Sequence, residues 1–228
     1  MLIDGKRVLT RVERVEIGLM KNGYNALAKE YSEKGFVIVD DFLPIEIADN
    51  LESLYLRGNN EWELNDQIRD QKYGKGKHGL FRTEAPYFPG EDEAYSAKFW
   101  WSKSLGEEIK SVFDEYFKPA LKEVSRLELS EFDVRCYKLD KGCHYRVHFD
   151  YWAANIGCIY YVNKKWVWDW GGILHVGLGD SVDSVTPIFP KFNRVIFVDH
   201  GGFRIPHFIS HVTDYAQNPR LSLISLNK

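Results

Sequence analysis

A mainly β fold is predicted: a double-stranded β-helix (jelly roll) with supporting N-terminal and mid-chain helices on one face. Three observations predict it. Hydrophobic periodicity is helical in three segments before residue 127 and switches to two after it. About eight short apolar runs, divided by turn signals, fill roughly the last hundred residues. Aromatic residues make up 15% of the chain, which suits pleated, half-buried surfaces.

The chain has 228 residues, a length that fits one domain. It is read as a single domain, 1–228, with helical and strand support at 19–127, a core jelly roll at about 130–228 and a candidate lid loop at 59–103. A net charge of −3 argues against nucleic acid or an anionic membrane as partner. The cysteines Cys136, Cys143 and Cys158 are odd in number and match no zinc spacing, so a reducing compartment is expected. No secretory leader pattern stands at Met1-Leu-Ile-Asp-Gly-Lys6, and no apolar run approaches the roughly 18 residues of a membrane span. A cytoplasmic protein is expected, its oligomeric state open.

Residues 1–18 alternate without a clear period and read as an arm or edge strand. Leu19, Tyr24, Leu27, Ala28 and Tyr31 recur at helical spacing, and Gly35 ends that helix. Phe36-Val-Ile-Val39 is a short buried strand. Pro44 can open the next helix, whose stripe is Ile47, Leu51, Leu54 and Tyr55. The segment 59–103 is punctuated by Gly and Pro and reads as a long loop with one hairpin, the kind of loop that covers binding sites. A helix from Ser104 to about Val124 follows, and Pro119 should kink or split it.

Beyond Leu127 the strands run through Phe132–Tyr137, His144–Phe149, Ile156–Val162, Ile173–Val176, Arg194–Val198, His207–Thr213 and Arg220–Leu226. Trp166, Trp168 and Trp170 alternate ahead of Gly171-Gly172.

Within these strands Tyr145-Arg-Val-His148-Phe-Asp150 concentrates the chemistry. Side chains two apart on a strand share a face, so one imidazole and one carboxylate project together. They form two thirds of the set of two His and one carboxylate that holds non-haem Fe(II) with open positions. His144, four residues before His148, is expected on the same face. His207 and His211 are the candidates for the third ligand, and both precede Arg220. A guanidinium deeper in the barrel would grip the far carboxylate of a dicarboxylate that chelates the metal.

Cys158-Ile-Tyr-Tyr-Val-Asn-Lys-Lys-Trp166, Gly171-Gly-Ile-Leu174 and Pro190-Lys-Phe-Asn-Arg-Val-Ile-Phe197, following Tyr145-x-x-His148-x-Asp150, resemble the prolyl hydroxylases that act on the hypoxia-inducible factor. Those belong to the Fe(II)- and 2-oxoglutarate-dependent dioxygenases. The resemblance implies that His148 and Asp150 are iron ligands, with His207 from Pro206-His207 as the third and His211 as the alternate. It implies that Arg220, Tyr161, Tyr137, Leu174 and Ser222 hold 2-oxoglutarate, and that Tyr145 and Trp152 face the substrate. The implied cofactors are Fe(II), the co-substrate 2-oxoglutarate and O2, with ascorbate as a reductant. The implied reaction is hydroxylation of a C–H bond, with succinate and CO2 as co-products. A prolyl residue of a peptide or protein is the first expected substrate, and a free amino acid or other small metabolite the second. The rival reading is a non-catalytic jelly-roll binding module. The strand after Arg220 carries Ser225-Leu226 where the human-type enzymes have a Trp, and loops and strand ends choose the substrate.

Overall fold

The described α-helices all precede residue 127 in the computed structural model, which describes residues 2–3, 6–7, 11–68, 96–150, 155–178, 182–203 and 205–227. The first part contains the short pair β1 (Leu2–Ile3) and β2 (Lys6–Arg7), α1 (Arg11–Lys34), β3 (Phe36–Val39) and α2 (Ile45–Tyr55). β4 (Glu63–Ile68) and β5 (Ser96–Ser102) pair antiparallel. The helical run then splits into α3 (Lys103–Glu108), α4 (Lys110–Val112), a π-helical turn at Phe113–Phe117 and α5 (Lys118–Ser125). Eight strands follow: β6 (Phe132–Leu139), β7 (His144–His148), β8 (Ile156–Tyr161), β9 (Leu174–Gly177), β10 (Val185–Ile188), β11 (Arg194–Asp199), β12 (His207–Ile209) and β13 (Arg220–Asn227).

These eight strands build a jelly roll. One sheet runs β6-β13-β8-β11 and the other β10-β9-β12-β7, with every neighbouring pair antiparallel. β5 joins the two sheets along one side. Its residues Trp100–Ser102 pair with β6, while Ala97 and Lys98 pair with β7. β3 extends the larger sheet beyond β11.

Alternation along each strand creates two apolar cores. On β8, Ile156, Cys158 and Tyr160 pack toward the helices with Leu51, Phe113, Phe117 and Leu121. Tyr161, with Ile159 beside it, packs between the sheets with Leu174, Val176, Ile196 and Val212. Asn193, with φ +59°, ties the lead into α2 onto β11. Its side chain accepts from Leu43 N and donates to Leu43 O, both at 2.8 Å.

Several local expectations change. α1 begins at Arg11, eight residues before its apolar stripe becomes regular, so the arm expected at 1–18 is in part helix. Pro119 splits the helical run as expected. It lies in the first turn of α5, where its missing N–H breaks no hydrogen bond, and the π turn before it absorbs the change of winding. The segment expected as the loop 59–103 has strands at both described ends, β4 and β5, and residues 69–95 lie outside the described residues. The alternating tryptophans are not a strand. Trp168–Trp170 is a 3-10 turn that buries Trp170 and leaves Trp168 exposed. β10 was not anticipated, because Val185-Thr-Pro-Ile188 is a short edge strand interrupted by Pro187, which argues against a strand in sequence and is tolerated at a sheet edge. All three cysteines are buried and free, and among the described residues no helix is long and apolar enough to cross a membrane.

Candidate active site

β7 ends at His148 and β12 begins at His207, and the two residues are direct partners in the antiparallel ladder. Their imidazole centroids lie 4.1 Å apart. The chain leaves β7 through Phe149 and brings the Asp150 carboxylate between them. Asp150 Oδ1 is 3.7 Å from His148 Nε2, and Oδ2 is 3.3 Å from His207 Nε2. One ligand atom from each residue falls within 4.8 Å of the other two. The three ligand atoms are close enough together to converge on a single ion with modest side-chain adjustment.

Backbone carbonyls fix both imidazoles. His148 Nδ1 donates to Arg146 O at 2.8 Å, and His207 Nδ1 donates to Ile205 O at 3.1 Å. Each Nε2 is thereby left as the inward-facing nitrogen, the outer hydrogen bonding that orients metal-binding histidines. Burial pushes His148 down to about 3, and the neighbouring His207 adds to that. Burial also opposes ionisation of Asp150, but His148 and His207 outweigh it and hold the carboxyl below the usual range. Burial lowers His207 too, and the hydrogen bond and charge of Asp150 more than reverse it. The donor set is thus a carboxylate with two imidazoles, the ligand chemistry of a non-haem Fe(II) site.

A β-bulge decides what else faces this group. Ile209 pairs with Tyr145 while His207 pairs with His148, so three steps on β7 match two on β12. The extra residue turns the strand's face. Tyr145, three before His148, faces the same side, with its ring centroid 4.1 Å from that of His148. His144, expected on that face from its spacing of four, is turned away and stacks on His211 at 4.1 Å. His211 is exposed and outside the His–Asp–His group. The bulge supplies the reason: an even spacing shares a face only along an unbroken pleat.

The register across the larger sheet sets inward-facing residues in rows, roughly 7 Å apart along the strands. From the mouth downward they are Asp133–Leu226–Gly157, Arg135–Ile224–Ile159, Tyr137–Ser222–Tyr161 and Leu139–Arg220. The upper rows, with His148, Asp150, His207, Tyr145, Leu174 and Ile209, line a cleft of about 870 Å³.

Arg220 lies at the bottom with no exposed surface. Its Nη1 donates to Ser222 Oγ at 3.1 Å, and its guanidinium carbon is 4.8 Å from the Tyr161 ring centroid. Nε, Nη2 and the Tyr161 hydroxyl are buried with no partner among the described residues. A buried donor without a partner costs on the order of 1–3 kcal/mol. Burial pushes the Tyr161 phenol up, and the charge of Arg220 offsets part of that rise. Asn163 fixes the strand that carries Arg220, accepting from Leu221 N at 2.6 Å and donating to Pro219 O at 2.8 Å. Gly172 covers the Arg220 stem. A Cβ there would sit 3.0 Å from Arg220 Cδ, on a backbone at φ +61°.

Sequence reasoning missed His200. It is buried, lines the cleft, and has its ring 5.6 Å from that of His207. Burial lowers it to about 4, and its Nδ1 is unpartnered among the described residues. No spacing in the sequence singles it out, because it stands one residue past the end of β11. Trp152, expected near the substrate, lies outside the described residues.

No family model matches this chain, and no curated protein matches it. Solved structures do share its fold. A prolyl-4-hydroxylase from Pseudomonas putida aligns over 90% of this chain and 98% of its own, at 19% identity and a TM-score of 0.63. A prolyl hydroxylase from Trichoplax adhaerens, in complex with a peptide fragment of the hypoxia inducible factor oxygen degradation domain, aligns over 93% and 91%, at 16% identity and a TM-score of 0.58. The non-heme alpha ketoglutarate dependent epimerase SnoN from nogalamycin biosynthesis aligns over 91% and 83%, at 13% identity and a TM-score of 0.60.

Proposed function

We propose that this chain is a non-haem Fe(II)- and 2-oxoglutarate-dependent oxygenase. Its proposed reaction is hydroxylation of a C–H bond, with succinate and CO2 as co-products. The observation that carries the reading is Arg220: a buried guanidinium with two donors unpartnered among the described residues, set against Tyr161 in the core that shares Tyr137 and Leu174 with the cleft of the His–Asp–His group. A buried cation of this kind asks for an anion, and a planar fork matches a carboxylate.

Each residue has a distinct task in this scheme. His148, Asp150 and His207 would hold the metal, their inward nitrogens set by the carbonyls of Arg146 and Ile205. His211 is no longer favoured as the alternate. Arg220, held by Ser222 and roofed by Gly172, would take the far carboxylate of 2-oxoglutarate, with the Tyr161 hydroxyl beside it. Tyr137 and Leu174 would form walls of that pocket, and Tyr145 would stand over the metal on the substrate side. When bound, the metal and co-substrate together supply the oxidising power. The protein binds, orients and keeps bulk water from the lower rows, where Tyr161, Ser222 and Arg220 are buried.

A prolyl residue of a peptide or protein is the first candidate substrate. The motifs in Cys158–Trp166 and Pro190–Phe197 support it, as do two prolyl hydroxylases of the same fold, one with a peptide bound. A free amino acid or other small molecule is the second, favoured by charged residues in the upper rows.

The test is anaerobic addition of Fe(II) and 2-oxoglutarate. A weak visible metal-to-ligand absorption band is expected in the native chain and lost in Arg220→Ala. Admission of oxygen, with ascorbate as reductant, should then release succinate. Absence of both band and succinate would leave the non-catalytic binding module as the better account.

A further inference from the structure

The second row of the larger sheet carries a cation that is neither a proposed metal ligand nor a proposed co-substrate contact, although it touches the Tyr137 hydroxyl. Arg135 is on the inner face of β6, two residues nearer the mouth than Tyr137, which is about 7 Å along the strand. It lines the same cleft as His148, Asp150 and His207. Its guanidinium is oriented from two sides. Nη2 donates to the Asp133 carboxylate, and the guanidinium carbon lies 5.2 Å from the Trp101 ring centroid. Trp101 is the ladder partner of Tyr137, so the platform is set by the sheet itself.

An arginine fork offers five N–H donors, and Asp133 and the Tyr137 hydroxyl engage only part of it. The side chains of Arg135 and Asp133 are 40% and 44% exposed, unlike the sealed Arg220. A hydrated pair of this kind is held weakly and can exchange for charges on a ligand. The same cleft is lined by His200, whose Nδ1 has no partner among the described residues. A Cβ at Gly157 would lie 3.0 Å from His200 Nε2, so the glycine leaves room for the ring. Between Arg135 and the strand behind His200, Ile224 and Ile159 provide an apolar floor. The chamber is therefore polar at its two ends and greasy between them.

We propose that Arg135 determines substrate specificity by binding a carboxylate of the substrate, with Asp133 beside it for a cationic group on the same molecule. The inference rests on the Fe(II)/2-oxoglutarate reading and names a substrate class for that site: a carboxylate-bearing molecule, of which a zwitterionic amino acid is the simplest. The same carboxylate could belong to an acidic side chain or a free C-terminus of a peptide.

The test uses the anaerobic protein loaded with Fe(II) and 2-oxoglutarate, and reads perturbation of its visible band. The probes are common free L-amino acids, their amides, small carboxylic acids, and proline-containing peptides with neutral, acidic or uncapped C-terminal residues. At least one carboxylate-bearing probe should shift the band saturably, while its matched amide does not. Arg135→Gln should weaken that response by about 10- to 100-fold, and Arg135→Lys should recover part of it. Both variants should still form the visible band in the absence of probe and melt cooperatively, which shows that they fold and load. A response to free amino acids or acids assigns a small-molecule carboxylate, and one confined to acidic or uncapped peptides assigns a peptide. If no carboxylate probe perturbs the band, or Arg135→Gln responds like the native chain, Arg135 has no such role. If the band never forms in the native chain, the Fe(II)/2-oxoglutarate reading fails and takes this one with it.

Discussion

His207 stands directly opposite His148 in the β7–β12 ladder, with the imidazole centroids 4.1 Å apart. His211, four residues on, is exposed and stacks instead on His144. Exchange of His207 for Ala should therefore weaken Fe(II) retention by at least about 100-fold, beyond the loss usual for an outer-shell partner. His211→Ala should retain the metal. Metal content after gel filtration measures both, and equal retention in the two variants would refute the assignment.

Arg220 has an unusual stability signature. It is a buried charge with two donors unpartnered among the described residues, so removing it relieves desolvation rather than breaking an ion pair. Arg220→Met should melt no lower than the native chain in the absence of metal and co-substrate. It should also lack the rise in melting temperature expected of the native chain on addition of Fe(II) and 2-oxoglutarate, since a ligand stabilises only a state it binds. A large fall in the ligand-free melting temperature would mean that Arg220 serves the fold itself.

Asp40 makes a two-point contact with Arg194, at 2.6 Å to Nε and 3.0 Å to Nη2, and a third with Lys191 at 2.9 Å. The hydrogen bond from Arg194 leads in pulling its carboxyl down to about 2. The folded value lies below the unfolded one, so the stabilisation is present above about pH 4 and disappears as pH falls through about 2. The carboxylate is 36% exposed, so Asp40→Asn should cost no more than about 1 kcal/mol at neutral pH. Denaturant melts of the two proteins should converge between about pH 4 and pH 2. A gap that is constant over that range would point to packing instead.

Gly106 is where α3 meets β6. A Cβ there would lie 2.3 Å from Val134 O, a backbone atom that cannot rotate aside. Gly106→Ala should therefore destabilise by about 1–3 kcal/mol. Gly58 has nothing within 4 Å of the same position, and Gly58→Ala should leave stability unchanged or slightly raised. Thermal unfolding of the pair checks both signs together.

The jelly roll was legible because each of its longer strands buries one face in each of two cores. Ile156, Cys158 and Tyr160 belong to one, Tyr161 to the other, and that alternation is written directly into the chain. β10 and β4 were less legible, since edge strands need no apolar face and Glu63–Ile68 has little of one.

The residue types of the candidate site, the pair His148 and Asp150, and the depth expected for Arg220 were available from local spacing and from the motifs around it. What spacing could not reveal was which side chains converge. A bulge between Tyr145 and His148 carries no composition signal, yet it brings Tyr145 in and turns His144 out. The choice between His207 and His211 likewise rests on a ladder partner sixty residues away in the chain. His200 and Arg135 reach one cleft from separate strands, and only the register that aligns those strands makes them neighbours of the same chamber. Side-chain chemistry and pleat periodicity are local properties, readable in order along the chain. Convergence is a property of register and closure, which depend on pairings between distant segments and are decided only when the two sheets fold against each other.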